Sequence, residues 1–446
     1  MEKVYNSIQV DFSKPYGKIK PFNAINNGVA GSRVRNYSNH DAMCAAKFPY
    51  SRNHDASFQN EWLVDVHRIF RDFDADECDP KNYNFGTTDN NVKAIFDTGC
   101  KVYYRLGASI EHGYKYGTYP PKDFNKWARI CEHIIRHYTE GWADGFNYDI
   151  EYWEIWNEAE CTNADGSNPC WQGTPDEFAE FFITVCRYLQ SKFPHLKIGG
   201  PAIATVYHTE WCENFFDKLR ESGVRPDFIS YHRYTKTVED FVEYVRSANE
   251  LFARYGFGDV ETHLNEWNYV RGWQAEKFVH TVDSIKGIKS ASFTTGVMCA
   301  CHPEKLDMLM YYEGRPSAFC GLWDGFTARV IKGYYPFLAY SRLRDLGTAV
   351  ESRSDANLYS LGATDGKSHA TLFTYFTEED NAERKSVRLD LKAMTAGGAP
   401  VRVKISLIDE EHDLECVREE TVASPDIAFF FEMPPYTTYL VEVSPV

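Results

Sequence analysis

The sequence predicts an α/β protein: a (β/α)8 TIM barrel with an accessory β-sandwich built from the C-terminus and the N-terminal strand. Three observations carry this. Between residues 21 and 346, short apolar runs alternate with segments whose apolar residues recur every three or four positions, the pattern of strands followed by amphipathic helices. Beyond residue 347 the helical period vanishes, and short alternating segments are separated by polar or Gly/Pro turns. Two apolar runs of the first region end in Asn-Glu, at Asn157-Glu158 and Asn265-Glu266, and the C-terminal ends of barrel strands are where reactive side chains gather.

Residues 1–20 alternate apolar and polar through Val4, Ile8, Val10 and Phe12, a strand assigned to the sandwich. Residues 21–28 end in turn residues and predict the first barrel strand; residues 43–50 read as helix or loop. Residues 63–70 predict the second strand, running into an Asp-rich loop at 72–79, and residues 101–106 the third. The stretch 124–138 places Trp127, Ile130, Cys131, Ile134 and Ile135 on one face of a helix. It leads into Tyr152-Trp153-Glu154-Ile155-Trp156-Asn157-Glu158, the fourth strand. Strands at 196–201, 226–232, 260–266 and 308–312 then alternate with helices at 175–193, 210–222, 238–255, around 275–290, and 334–346. The expected division is 1–20 joining the sandwich, 21–346 as the barrel and 347–446 as the sandwich. No low-complexity linker separates them, which predicts close packing.

Composition narrows the function. Of 446 residues 43% are hydrophobic and 15% aromatic, enough for a large core and too much for disorder. A net charge of −16 argues against nucleic acid and anionic membranes as partners, since both demand a basic patch. No apolar run reaches the ~18 residues of a membrane helix, and the first seven residues lack the apolar core of a leader, which predicts a cytoplasmic chain unless a leader has been removed. The twelve cysteines are scattered and read as reduced thiols, with Cys161 and Cys170 as a pair that export would allow to join. Cys299-Ala300-Cys301-His302 has no second ligand cluster, and the 72–79 loop lacks the Gly and Glu positions of a calcium loop. The expectation is therefore no metal and no cofactor, with a neutral ligand as partner and a homo-oligomer left open.

A strand-terminal glutamate taken alone is more often a surface or ion-paired residue than a catalyst. A second Asn-Glu three strands further on reverses those odds, because strands four and seven face each other across a barrel mouth, and glycoside hydrolysis needs two facing carboxyls. Trp156-Asn157-Glu158 followed by Asn265-Glu266-Trp267-Asn268 resembles glycoside hydrolase family 39, the family of β-xylosidases and α-L-iduronidases. Tyr83-Asn84-Phe85, Lys197-Ile198-Gly199-Gly200-Pro201 and Pro226-Asp227-Phe228-Ile229-Ser230-Tyr231-His232 lie in matching order.

The resemblance implies a retaining exo-glycosidase with Glu158 as general acid/base and Glu266 as nucleophile. It further implies Asn157 on the sugar 2-OH, His232 and Tyr234 lining the glycone pocket, His67 as a strand-two histidine for sugar hydroxyls, and Trp323 as a stacking platform. The favoured activity is β-xylosidase on short xylo-oligosaccharides. Iduronidase-like or arabinosidase-like specificity, and a non-catalytic carbohydrate-binding barrel, stand as alternatives. The chain departs from the family where Ala159-Glu160 replaces the usual proline after Glu158, leaving Glu160 as a rival carboxylate. No Arg/Lys pair for a uronic carboxylate is evident, although Arg105, Arg233 and Arg271 fall near predicted strand ends.

Overall fold

In the computed structural model, described for residues 4–32, 37–55, 64–111, 113, 115–395 and 398–446, eight parallel strands close into a barrel. In chain order they are Ala24–Asn26, Tyr50–Arg52, Lys101–Leu106, Tyr152–Ile155, Lys197–Ile203, Phe228–Thr235, Glu261–Tyr269 and Met308–Tyr311. Each pairs with its neighbours in sequence, and the eighth returns to the first through Met310↔Ala24 and Tyr311↔Ile25. Buried on both faces, such strands read as near-continuous apolar runs, and every residue of Tyr152–Ile155 is buried. The helices between them start and stop where their sequence says. Asp123 and Thr237 cap Phe124–Thr139 and Val238–Arg254, and Thr174 with Glu177 forms a capping box on Pro175–Lys192.

The second strand is not at 63–70. Leu63 lies outside the described residues, and Val66–Ile69 forms a helical turn. The strand is the three-residue Tyr50–Arg52, paired with the first and third strands. It is short and polar because Arg52 projects into the barrel as part of a buried ionic layer, so an apolar-run criterion passes over it.

The helix expected around 275–290 is two helices, Ala275–Ile285 and Ile288–Cys301. The second is buried on almost every side, with no amphipathic stripe to reveal its period. It is wedged between the barrel and the C-terminal sheet, where Ser292 Oγ donates to the Tyr375 carbonyl at 2.8 Å.

That sheet has nine strands and folds into a sandwich-like unit. The N-terminal strand Asn6–Lys18 lies inside it, antiparallel to Thr348–Ser354 and parallel to Lys385–Lys392. The short alternating segments beyond residue 347 are the strands Thr348–Ser354, Leu358–Thr364, His369–Tyr375, Lys385–Lys392, Val401–Ile408, Ile427–Met433 and Thr438–Pro445. An eighth, Asp413–Val422, is an exposed edge strand against Val401–Ile408 whose run of charges hides its period but suits an edge. The two units are clamped together. Lys289 Nζ lies 2.8 Å from Asp380 and 3.3 Å from Glu378, Arg271 bonds both carboxylates, and Tyr269 donates its hydroxyl to Glu378 at 2.8 Å.

Phe293 sits at the centre of the wedge, fully buried, with its ring 5.7 Å from Phe241, 5.3 Å from Tyr269 and 5.1 Å from Phe376. Phe293→Ala therefore opens a cavity shared by barrel and sandwich. We expect a loss of about 3–5 kcal/mol in urea unfolding; a loss below about 1 kcal/mol would contradict this packing.

Candidate active site

The floor of the site is an ionic layer inside the barrel. Arg52 has no exposed surface and uses every edge of its guanidinium. Nε donates to Glu154 at 2.7 Å, Nη1 to Asn26 at 2.9 Å and to Glu266 at 3.1 Å, and Nη2 to Asn157 Oδ1 at 2.6 Å. Glu154, equally buried, also accepts from Ser230 Oγ at 2.6 Å and from Asn265 Nδ2. One guanidinium thus ties the first, second, fourth and seventh strands together, and Glu154 adds the sixth. The Arg52 bond also fixes the Asn157 amide with its oxygen inward.

Above this layer, two backbone irregularities aim the carboxyls. The fourth strand stops at Ile155, after which Trp156 and Glu158 adopt left-handed φ values of 71° and 48°, a conformation that costs a non-glycine residue of order 1 kcal/mol and concentrates at functional sites. The turn is held by Trp156 N–H donating to Leu106 O at 2.7 Å and Glu158 N–H to Ala202 O at 2.9 Å. On the seventh strand the register against the sixth slips between Leu264↔Tyr231 and Glu266↔His232. Asn265 is the extra residue of this bulge; it turns down to Glu154 while Glu266 comes level with His232.

His232 lies between the two carboxyls, its Nδ1 2.7 Å from Glu158 Oε1 and 3.7 Å from Glu266 Oε2. One ligating atom from each of Glu158, His232 and Glu266 lies within 4.8 Å of the others. Burial pushes His232 down to about 4, so the ring is neutral at physiological pH. Burial pushes the Glu266 carboxyl up to about 7, His232 and Arg52 pull it down, and Glu158 pushes it up. The Tyr234 hydroxyl donates to Glu266 Oε1 at 2.6 Å and favours the ionised form.

Glu158, Glu266 and Tyr234 open onto a cavity of about 710 Å3. His54 and Asp55, just past the second strand, line it too, with Tyr312, Arg233 and Trp273. His54 Nδ1 accepts from Arg105 Nε at 3.0 Å, and burial keeps the ring neutral, so its proton is on Nε2. Asp55 accepts from the Tyr312 hydroxyl at 2.8 Å. Trp273, 60% exposed, stands with its ring 5.5 Å from Tyr234.

Five of the seven expected residues are therefore together: Asn157, Glu158, His232, Tyr234 and Glu266. Two are elsewhere. His67 sits on the Val66–Ile69 turn and lines a separate cavity of about 200 Å3 with Tyr116 and Trp127. The misplaced second strand carried it there, and the histidine that follows the actual strand is His54. Trp323 is fully buried between Phe48 and Tyr334 and has no face to offer a sugar. The exposed tryptophan of the cavity is Trp273, whose signal was its place in the loop after the seventh strand. Arg52 and Glu154 were also missed, being buried charges in strands that pattern reading treats as apolar.

Glu160 is buried beside the site but absent from the cavity wall. Its Oε1 accepts from Thr205 N–H at 3.0 Å, and burial pushes its carboxyl up to about 8. Of the three arginines, Arg105 is held by Asp65 and His54, Arg271 by Glu378 and Asp380, and Arg233 reaches the cavity, stacked on Tyr244 at 4.7 Å. Both ring nitrogens of His302, beside Cys299 and Cys301, are engaged by Tyr16 and Lys20.

Known proteins resemble this chain in sequence and in fold. Beta-xylosidases of Geobacillus stearothermophilus and Caldicellulosiruptor saccharolyticus are each 25% identical, over 251 and 244 residues. The alignments take in 50% and 51% of this chain and 47% and 46% of theirs, so the chain spans about half the length of the curated relatives it matches. Among solved structures, a glucosidase from Croceicoccus marinus superposes with a TM-score of 0.83 at 19% identity, covering 100% of both chains. A monomeric beta-xylosidase from Caulobacter crescentus gives 0.74 at 14% identity, covering 99% of this chain and 100% of its own. These two share the fold. The family pattern described as Glycosyl hydrolases family 39 matches residues 6–265, from the sandwich strand through Glu158 to the residue before Glu266. With that match over more than half its length, the chain belongs to family 39 of the glycosyl hydrolases.

Proposed function

We propose that the chain is a retaining glycoside hydrolase, an exo-acting β-xylosidase that releases xylose from short xylo-oligosaccharides. The observation that supports this best is the Glu158–Glu266 pair. Oxygens within 4.8 Å suit direct attack by one carboxylate, whereas inverting enzymes separate their carboxyls by about 6.5–9.5 Å to admit a water. The catalytic unit in this reading is residues 21–346, with 1–20 and 347–446 forming the sandwich.

Glu266, ionised with the help of Arg52 and the Tyr234 hydroxyl, attacks the anomeric carbon. Glu158 protonates the leaving oxygen, and the same carboxylate then takes a proton from the water that hydrolyses the glycosyl-enzyme. Neutral His232, with its proton on Nδ1, donates to Glu158 Oε1 and leaves Oε2 to carry the proton that goes to the leaving oxygen. Asn157, its amide oxygen held by Arg52, turns its NH2 to the sugar 2-OH. His54 Nε2–H and Asp55 serve the remaining hydroxyls, and Trp273 offers a ring face to the next sugar. Arg233 on the cavity wall favours an iduronidase-like specificity as the second reading. A panel of aryl xylosides, arabinosides and uronides separates these, and failure to hydrolyse any of them while binding xylobiose would favour a carbohydrate-binding barrel.

Three outcomes follow. Glu158→Gln lowers kcat on an aryl β-xyloside with a poor leaving group by about 100- to 10,000-fold, and Glu266→Ala abolishes turnover; full activity in either variant sinks the assignment. Because the nucleophile must be ionised, the acid limb of kcat/KM lies near the Glu266 value of about 7. Removing the hydroxyl in Tyr234→Phe takes away a bond to the charged form, worth about 1.5–3 kcal/mol, so that limb moves to higher pH by about one unit or more; a stationary limb would contradict the role given to Tyr234. Trp273→Ala raises KM for xylobiose several-fold with kcat little altered; an unchanged KM removes the tryptophan from the binding site.

A further inference from the structure

The loop that follows the fourth strand brings two thiols against the acid/base carboxylate. Among the described residues, Sγ of Cys161, Sγ of Cys170 and a carboxylate oxygen of Glu158 all lie within 4.8 Å of one another. Their backbones are pinned to the strained turn. Cys161 N–H donates to Glu158 O at 2.9 Å, and Trp156 Nε1 donates to Cys170 O at 3.0 Å. Asn168 staples the far side: its Oδ1 accepts from the N–H groups of Cys170 and Trp171, both at 2.8 Å, and its Nδ2 donates to Ala159 O at 2.6 Å. Cys170 is buried, whereas Cys161 lines the cavity, so an ion that enters the cleft reaches the pair.

We propose that Cys161, Cys170 and Glu158 form a site for a thiophilic divalent cation of the zinc or cadmium type, and that its occupation switches the enzyme off. Metal–sulfur bonds of about 2.3 Å in a tetrahedral shell put two sulfurs ~3.8 Å apart, inside the observed span. Two thiolates select a soft ion over magnesium or calcium, and the three anionic ligands leave a fourth position for water. Binding releases the thiol protons to solvent. Affinity therefore rises with pH. A carboxylate that ligates a cation cannot carry the proton the leaving oxygen needs. Glu158, His232 and Glu266 form a second cluster of the same span without sulfur, and the test separates the two.

The test titrates the reduced protein with Cd2+ under a phosphine reductant, following the ultraviolet thiolate-to-cadmium band and aryl β-xylosidase activity together. The expected result is a band that saturates at one equivalent, with parallel inhibition reversed by a chelator and unaffected by Mg2+. Cys170→Ala keeps its basal activity, loses the band and raises the inhibition constant at least tenfold; Cys161→Ser loses the band as well. The inhibition rests on the acid/base role of Glu158, and the band does not. A band without inhibition overturns the switch and counts against that role, while its absence from the wild type overturns the site. A band or an inhibition constant that survives unchanged in both cysteine variants overturns it equally, assigning the cation to other groups.

Discussion

The structure depends on one guanidinium. Arg52, wholly buried, bonds Glu154 and Glu266 as an ion pair to each and Asn26 and Asn157 as amides. A buried charge is tolerable only when fully partnered, and removing one partner of such an arrangement typically costs about 3–5 kcal/mol. The same bonds that satisfy Arg52 therefore fix the strands that lead to Glu158 and carry Glu266. Burial in this floor makes the Glu266 carboxyl hold its proton more tightly than an exposed one would, and Arg52 works against that by favouring the ionised form.

Given that floor, the two departures from regular structure make physical sense. A regular strand would alternate its side chains, placing at most one of Asn157 and Glu158 at the mouth. The left-handed Trp156 and Glu158 break the alternation, and both members of the pair then serve the site. The bulge at Asn265 does the corresponding job on the facing strand, sending one side chain to Glu154 below and the next to the cleft. His232 and Tyr234, two apart on the straight sixth strand, need no such device: the period of two already puts both on the cleft side.

Much of this was legible in the sequence. Apolar runs located seven of the eight barrel strands, and the repeated Asn-Glu picked out the facing carboxyls. His232 and Tyr234 came with the strand that carries them. What escaped was whatever buries charge or polarity without an apolar period. The three-residue second strand ending in Arg52 is one case, and with it went His54, displaced in the reading by His67. The helix Ile288–Cys301 escaped for the opposite reason, being buried all round, and the edge strand Asp413–Val422 because its charges face water. Trp323 and Trp273 differ by burial alone, a property of tertiary packing that no local pattern carries.

In the proposed reaction two closely facing carboxyls, following the fourth strand and on the seventh, act by direct attack and not through an interposed water. The stereochemistry of the sugar first released reports this most directly. Proton NMR of an aryl β-xyloside during hydrolysis should show the β-anomer of xylose appearing first and the α-anomer growing only by mutarotation. An α-anomer formed first would contradict the account.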